Sequence, residues 1–408
     1  MKILFLSDNF PPESNAPASR TFEHARQWVA DGHEVTIVTC APNFPAGKLF
    51  DGYCNHWVQK ETMAGMSVVR VKTYITANEG FIRRTLDYLS FMVMGTLVSL
   101  FQPKPDVIIA TSPQFFTTLA GYMVSVLRRR PYVFELRDLW PASITAVGVM
   151  KSGRTIRLLE RLEMFLYRKA ALIIPVTESF KRELIERGIP AEKIAVICNG
   201  VDLSQYLPRP KSENLVQEYD LKDKLVVGYI GTHGMAHGIP SVVATAARMQ
   251  DDQDVVFLFA GGGAARSALE ADVQRRNLTN VRLIPMQPKS CMPELWSICD
   301  IALIPLRNQD LFRSVIPSKL FECMGMGIPV IMSVPEGEAT QIVQNTGCGL
   351  VVRPEDPEAL QQAILQLKAD QAHRQELSQN CIAAAPLYSR VMLAKQMLES
   401  IRQLVRVP

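Results

Sequence analysis

The sequence predicts an α/β protein of two domains, each a parallel sheet covered by helices. Three observations carry that prediction. Short apolar runs of strand length alternate with longer segments of helical period, the pattern of parallel sheets buried on both faces. The alternation is interrupted at VDLSQYLPRPKSEN, residues 201–214, and starts afresh near residue 222. The chain has 408 residues, more than the roughly 100–200 of one ordinary domain, and with 48% hydrophobic and 21% charged residues both halves can bury a core.

The first series of strands reads KILFLS, EVTIVT, DVIIAT, YVFEL and LIIPVT. The second reads LVVGYIG, VVFLFAG, VRLIPM, IALIPL, PVIMSV and GLVV, with helical stretches such as residues 290–298 and 357–368 between the runs. The prolines and polar residues of the interruption break any helical period and mark an interdomain connection. The boundary is placed near residue 205, which gives domains 1–204 and 205–385. Ligands of open parallel sheets bind beyond the carboxyl ends of the strands, so two such sheets facing each other enclose a cleft lined by strand-end loops.

Bulk properties narrow the function class. The net charge of +4 is modest, and its basic residues cluster, as at Arg128, Arg129 and Arg130, so no nucleic-acid partner is demanded. The opening MKILFLSDNF lacks the pattern of a secretory signal, and the expected location is cytoplasmic. Eight scattered cysteines form no two-residue-spaced pairs, so reduced thiols are expected and no metal site. Residues 88–101, YLSFMVMGTLVSLF, are uncharged but short of the roughly 20 residues of a spanning helix. The segment from Leu86 to Phe101, preceded by Arg83 and Arg84, reads either as a core helix or as a peripheral membrane contact through 81–101.

Four stretches carry chemistry. The first strand ends in SDNFPPESNAPASR, a loop rich in proline and small residues, followed by a helix expected from about Thr21. Glu13, Asn15, Ala16 and Arg20 are its candidates, with Glu13 and Arg20 expected at the mouth of the cleft. Arg137 and Asp138, followed by Leu139, Trp140 and Pro141, end the strand YVFEL, where a carboxylate can act as a base or orient a hydroxyl, or simply cap a helix. GYIGTHGMAHG, residues 228–238, is a glycine-rich turn able to offer backbone N–H groups to a phosphate. His233 and His237 have the spacing of helical metal ligands, but the glycine between them and the lack of a third ligand argue against a metal. AGGG at 260–263 repeats the strand-then-glycine arrangement and reads equally as a plain tight turn.

RSVIPSKLFECMGMGIPV, residues 313–330, is the most specific stretch. Pro317 opens a helix with Ser318, Lys319 and Glu322 in its first turns. Lys319 and Glu322 share one face, so the lysine can meet a diphosphate at the helix N-terminus while the glutamate accepts hydrogen bonds from ribose hydroxyls.

Together these stretches resemble family 4 of the retaining nucleotide-sugar glycosyltransferases, which have the GT-B architecture of two Rossmann-like domains whose parallel sheets face a central cleft. GHEVTIVT at 32–39, ICNGVD at 197–202, LFAGGG at 258–263, ELWSICDIALIPL at 294–306 and FECMGMGIPV at 321–330 fall in family order. PPESNAPASR, APNFPAGKLFDGY and RDLWPAS are similar to the bacterial branch that includes N-acetylfucosamine transferases of O-antigen and capsule assembly. The resemblance implies a nucleotide-sugar donor, UDP-linked, with no further cofactor, and a saccharide or polyprenyl-linked acceptor. It also implies that the stretch 386–408 packs back on the first domain.

On this resemblance the donor contacts are Gly231, Thr232, His233, His237, Arg313, Ser314, Pro317, Ser318, Lys319 and Glu322. The catalytic group comprises Asp138, Arg137 and Lys319, and Glu13, Asn15, Ala16 and Arg20 lie on the acceptor side. Four positions depart from the family. Of its two glutamates eight apart only Glu322 is present, with Ser314 in place of the other. The usual Arg and Lys after the first strand of the second domain fall on Thr232 or His233 and on His237. Arg137 stands where many relatives have a histidine. Less positive charge therefore reaches the diphosphate from the 231–238 loop, and Lys319 and Arg313 are expected to carry more of it. A hydrolysing UDP-sugar 2-epimerase and a two-lobed sugar-binding protein are the rival readings. The first lacks its catalytic carboxylates and histidine in order, and the second is usually exported.

Overall fold

The computed structural model describes residues 1–13, 15–44, 46–76, 81–139 and 153–406. Its contacts divide the chain into two compact units, Met1–Asn199 with Arg390–Pro408, and Gly200–Ser389. The division falls a few residues before the one read from the sequence, because the backbone of Val201 bonds to Tyr388 and ties the linker to the second unit.

The first unit holds β1 (Lys2–Leu6), β2 (Glu34–Cys40), β3 (Val58–Met63), β4 (Met66–Val71), β5 (Val107–Thr111), β6 (Tyr132–Leu136) and β7 (Leu172–Pro175). They pair in the order β3-β4-β2-β1-β5-β6-β7. All pairings are parallel except β3 with β4, a hairpin on the sheet edge. That hairpin is a correction to the parallel sheet read from the sequence: VQKETM is polar and half-exposed, as an edge strand can be, and gives no buried-strand signal. Successive residues of a strand point to opposite faces, and the core splits accordingly. Leu4, Ile108 and Phe134 face helices 81–100, 115–128 and 154–169, while Ile3, Ile109 and Val133 face helices 16–30 and 390–406.

The second unit holds β8 (Leu225–Ile230), β9 (Val255–Ala260), β10 (Val281–Ile284), β11 (Ile301–Pro305), β12 (Val330–Ser333) and β13 (Gly349–Val352). Their order is β10-β9-β8-β11-β12-β13, and every pairing is parallel. Both sheets are doubly wound. Strand order reverses at β1/β5 in the first and at β8/β11 in the second, and a doubly wound sheet takes its ligand in the crevice outside such a switch point. No described helix is long and apolar enough to cross a membrane.

Candidate active site

The loop after β8 and the helix that follows β11 meet at the switch point of the second sheet. Gly231 turns the chain off β8 with φ +135°, and a Cβ built there stands 3.2 Å from the ammonium nitrogen of Lys319. Glycine is required by the backbone angle and by the lysine together. The loop is braced from two sides. The N–H groups of Gly231 and His233 donate to the carbonyls of Ala260 and Gly262 at 2.9 and 2.8 Å, and Arg307 donates to Ala236 at 2.9 Å. Gly261 comes so close that a Cβ on it would lie 1.9 Å from the Gly231 oxygen. The AGGG run is therefore a close crossing of two loops, more than a tight turn.

Lys319 is the first residue of helix Lys319–Met326, so Pro317 lies two residues before the helix, and its carbonyl accepts from Leu320 at 3.0 Å. The lysine is half-buried as a residue, but its Nζ is sealed from solvent and has no hydrogen-bond partner among the described residues. It lies over the Tyr229 ring, 3.9 Å from the centroid. An ammonium so placed gains a cation–π attraction, and among the described residues it has no carboxylate bonded to it. Burial pulls its pKa down to about 8, against the smaller opposing effect of Cys323 and Glu322. Glu322, three residues further along the helix, accepts from the indole N–H of Trp296 at 3.2 Å.

The two histidines lie on the 231–238 loop and not on a helix. His233 is buried against Tyr229 and Phe259, with ring centroids 5.6 and 6.5 Å away. Burial, then the charges of Arg266 and Lys319, lower its pKa to about 4, and burial with Lys319 does the same to His237. Both rings are neutral at pH 7 and bring no charge to replace the family's Arg and Lys. No group of three His, Cys, Asp or Glu side chains among the described residues is placed to hold a metal.

Arg313 is exposed and pairs with Asp310 at 2.9 Å, a surface ion pair open to solvent. Ser314 donates to the Leu311 carbonyl at 3.1 Å within the same 3-10 turn, and Thr232 accepts from the Tyr229 hydroxyl. Tyr229 is the site residue that sequence reasoning missed. In GYIG it reads as an ordinary strand aromatic, and only the fold places it beneath Lys319.

In the first unit, Glu13 and Arg20 are corrected from cleft mouth to interior. Glu13 is buried and accepts from the N–H groups of Asn43 and Phe44 at 2.8 Å each and from Asn9 at 2.9 Å. Arg20 and Glu135, each 1% exposed, pair at 2.8 Å, and Arg20 also donates to the carbonyls of Ile197 and Cys198. Helix 16–30 begins at Ala16, five residues before the expected start, because the Asn15 side chain accepts from Ala18 at 2.9 Å and Pro17 fits a first turn that has no use for its N–H. Arg137, just past β6, donates its backbone N–H to Ser112 at 2.7 Å and points Nη2 at Asn199, 3.5 Å away. Burial, together with Arg20 and Arg390, lowers the Arg137 pKa to about 9 against the pull of Glu135. Asp138 follows it, and Trp140 and Pro141 lie outside the described residues.

Residues 15–200 match the Glycosyl transferase 4-like domain, and residues 211–384 match Glycosyl transferases group 1. WcaI of Escherichia coli (strain K12), named as a colanic acid biosynthesis glycosyl transferase, is 26% identical over 376 residues, 90% of this chain and 92% of that protein. Anabaena Alr3699/HepE, solved in complex with UDP, superposes with a TM-score of 0.73 at 19% identity over 99% of this chain and all of that one. Sucrose-phosphate synthase of Thermosynechococcus elongatus gives 0.77 at 18% identity over the whole of both. At such identities the two structures speak for the fold alone. With one glycosyltransferase domain matched on each unit, in order, and this fold throughout, the chain belongs to the family 4 glycosyltransferases of GT-B architecture.

Proposed function

We propose that the protein transfers a sugar from a nucleoside diphosphate, UDP, to a hydroxyl of a saccharide carried on a polyprenyl lipid, with the anomeric configuration retained. The product enters a bacterial surface polysaccharide, and the reaction runs at the inner face of the cytoplasmic membrane. One observation carries the donor half of this reading: a solvent-sealed ammonium with no hydrogen-bond partner among the described residues, Lys319, stands at the switch point of the second sheet beside a glycine-lined loop. A buried charge of that kind is costly unless an anion completes it, and a leaving diphosphate is such an anion. The bond from the anomeric carbon to the β-phosphate oxygen breaks, the acceptor oxygen bonds to that carbon on the same face, and the acceptor hydroxyl gives its proton to the departing phosphate oxygen.

In this reading Lys319, the backbone around Pro317 and Ser318, and Gly231, Thr232, His233 and His237 hold the diphosphate without a metal. Glu322, oriented by Trp296, takes the ribose, and Ser314 lies toward the donor sugar. Asp138 and Arg137 act on the acceptor, while Glu13, Asn15, Ala16 and Arg20 fix the loop after β1 that shapes the acceptor side. The relative named for colanic acid synthesis and the neighbour solved with UDP support the pathway class and the nucleotide.

The test is thermal-shift binding of UDP, GDP, dTDP and ADP to the wild type and to Lys319→Ala and Glu322→Ala. UDP alone is expected to raise the midpoint, because it binds the folded state only. Both substitutions are expected to remove at least nine-tenths of that binding. An equal shift in Lys319→Ala would remove the donor assignment.

A further inference from the structure

Helix 81–100, whose apolar run reads either as core or as a peripheral membrane contact, has one buried and one exposed apolar face. Phe91 and Val98 are buried against the sheet, while Leu86, Val93 and Leu97 stand on the opposite face and lead to Phe101, 85% exposed. The stripe continues on the next helix. Helix 115–128 exposes Met123, Val126 and Leu127, the last two at 56 and 60%. Arg128 joins the carboxyl ends of these helices by donating to the carbonyls of Leu100 and Gln102 at 2.5 and 2.8 Å. A third helix, 154–169, is tied in by Tyr122 and Phe165, whose rings meet edge-on at 5.2 Å, and it exposes Leu158 at 64% along with Phe165. All three helices cover one face of the first sheet, so their outward sides form one surface of the first unit.

Charge on that surface has one dominant sign. Arg83, Arg129, Arg157, Arg161, Arg168 and Lys169 are exposed on or beside the three helices. Glu160 is exposed among them, whereas Glu163 is buried and engaged by Arg187. Lys169 lies over the Phe165 ring, 5.7 Å from its centroid, with its charged head at the margin of the apolar patch. Contiguous exposed apolar surface marks an interaction site. Apolar side chains rimmed by Arg and Lys match a bilayer interface, where the apolar groups enter the acyl boundary and the cations meet anionic headgroups.

We infer that this three-helix face docks the protein on an anionic membrane surface, with Leu97, Phe101, Val126, Leu127 and Leu158 inserted and the flanking arginines on lipid phosphates. The inference extends the lipid-linked acceptor of the proposed function from a segment to a defined surface. It stands independently of the donor site, since every residue it uses lies in the first unit. A second copy of the chain is the competing occupant, and the basic rim, which would repel its own image, argues against it.

The test is co-sedimentation of the full chain with vesicles of phosphatidylcholine containing 30% phosphatidylglycerol, beside vesicles of phosphatidylcholine alone, at about 0.1 M and about 0.5 M salt, conditions that bracket strong and weak screening. Binding to the anionic vesicles is expected to fall at least tenfold without phosphatidylglycerol, and again with high salt. Leu97→Glu/Phe101→Glu/Val126→Glu and, separately, Arg157→Gln/Arg161→Gln are each expected to weaken it at least fivefold. Unchanged melting and unchanged UDP binding in both variants would show that the fold and the donor site are untouched. Wild type left in the supernatant with anionic vesicles, or variants that sediment like wild type, overturns the inference. So does a dimer in light scattering that Phe101→Glu dissolves. UDP binding in the same samples separates that failure from a failure of the donor assignment.

Discussion

In the proposed donor site the chemistry rests on one ammonium. Free Lys319 has a pKa of about 8, lowered by burial from the ordinary 10.5, so it loses its proton easily while the site is empty. A diphosphate beside it favours the charged form and raises the pKa, so binding takes up a proton wherever the free amine is neutral. UDP affinity is therefore expected to be level between pH 7 and about 8 and then to weaken by up to tenfold per pH unit. The histidines, with pKa values of about 4, contribute nothing to this profile. Titration calorimetry in two buffers of different ionisation enthalpy reads both the affinity and the proton uptake. Lys319→Met should bind weakly and without pH dependence over this range, and a wild-type profile that stays flat to pH 9.5 would show that the lysine is not the group that meets the phosphates. The same lysine marks a limit of sequence reading. RSVIPSKLFECMG exposes Lys319 and Glu322 as a pair on one helix face, but not that Glu322 turns to Trp296 or that the lysine lies over a tyrosine ninety residues earlier in the chain.

At the scale of elements, the loop after β8 has its shape because the loop after β9 crosses it. Gly261, at φ +143°, would place a Cβ 1.9 Å from the Gly231 oxygen, a distance no relaxation of a side chain can absorb because the obstacle is backbone. Gly261→Ala is expected to displace residues 231–233 and cut UDP affinity about 100-fold. The sheet should stay folded, because strained backbone of this kind costs about 1–3 kcal/mol. Calorimetry beside a melting curve would separate loss of binding from loss of fold. Strands β8, β9, β11 and β12 of the second sheet are legible because each is a nearly continuous buried apolar run, as strands covered on both faces must be, while the edge strands β10 and β13 are half-exposed and legible from their Val, Leu and Ile residues. The β3–β4 hairpin is not, since its polar edge strand has no such run. Nor is the start of helix 16–30, where Asn15 and Pro17 look like loop residues until one is seen to cap the helix and the other to sit in its first turn. Arg20 differs from its sequence reading for a related reason. A charge near a loop reads as a ligand contact, and only the position of Glu135 on a strand 115 residues away makes it an internal ion pair.

Across the whole molecule, the first unit depends on the far end of the chain. Helix 390–406 lays Leu393, Met397, Leu398 and Ile401 onto the sheet face formed by Ile3, Phe5, Val35 and Ile37. Trp28 donates its indole N–H to the Ala394 carbonyl at 2.8 Å, and Arg390 pairs with Glu23 at 2.5 Å. Burying each of the four apolar side chains is worth about 1.5–3 kcal/mol, or roughly 6–12 kcal/mol together, by transfer arithmetic. A domain is stable by only about 5–15 kcal/mol in all. Removing residues 390–408 is thus expected to unfold the first unit and leave its sheet face open to aggregation. The second unit has its own sheet and cores, closed at Ser389, and should persist. Scanning calorimetry of the truncated chain should show the first unit's transition lost or lowered by at least 15 °C, while a UDP-sensitive transition remains. If both units melt together, or the truncated chain melts like the full one, the terminal helix is not what closes the first core.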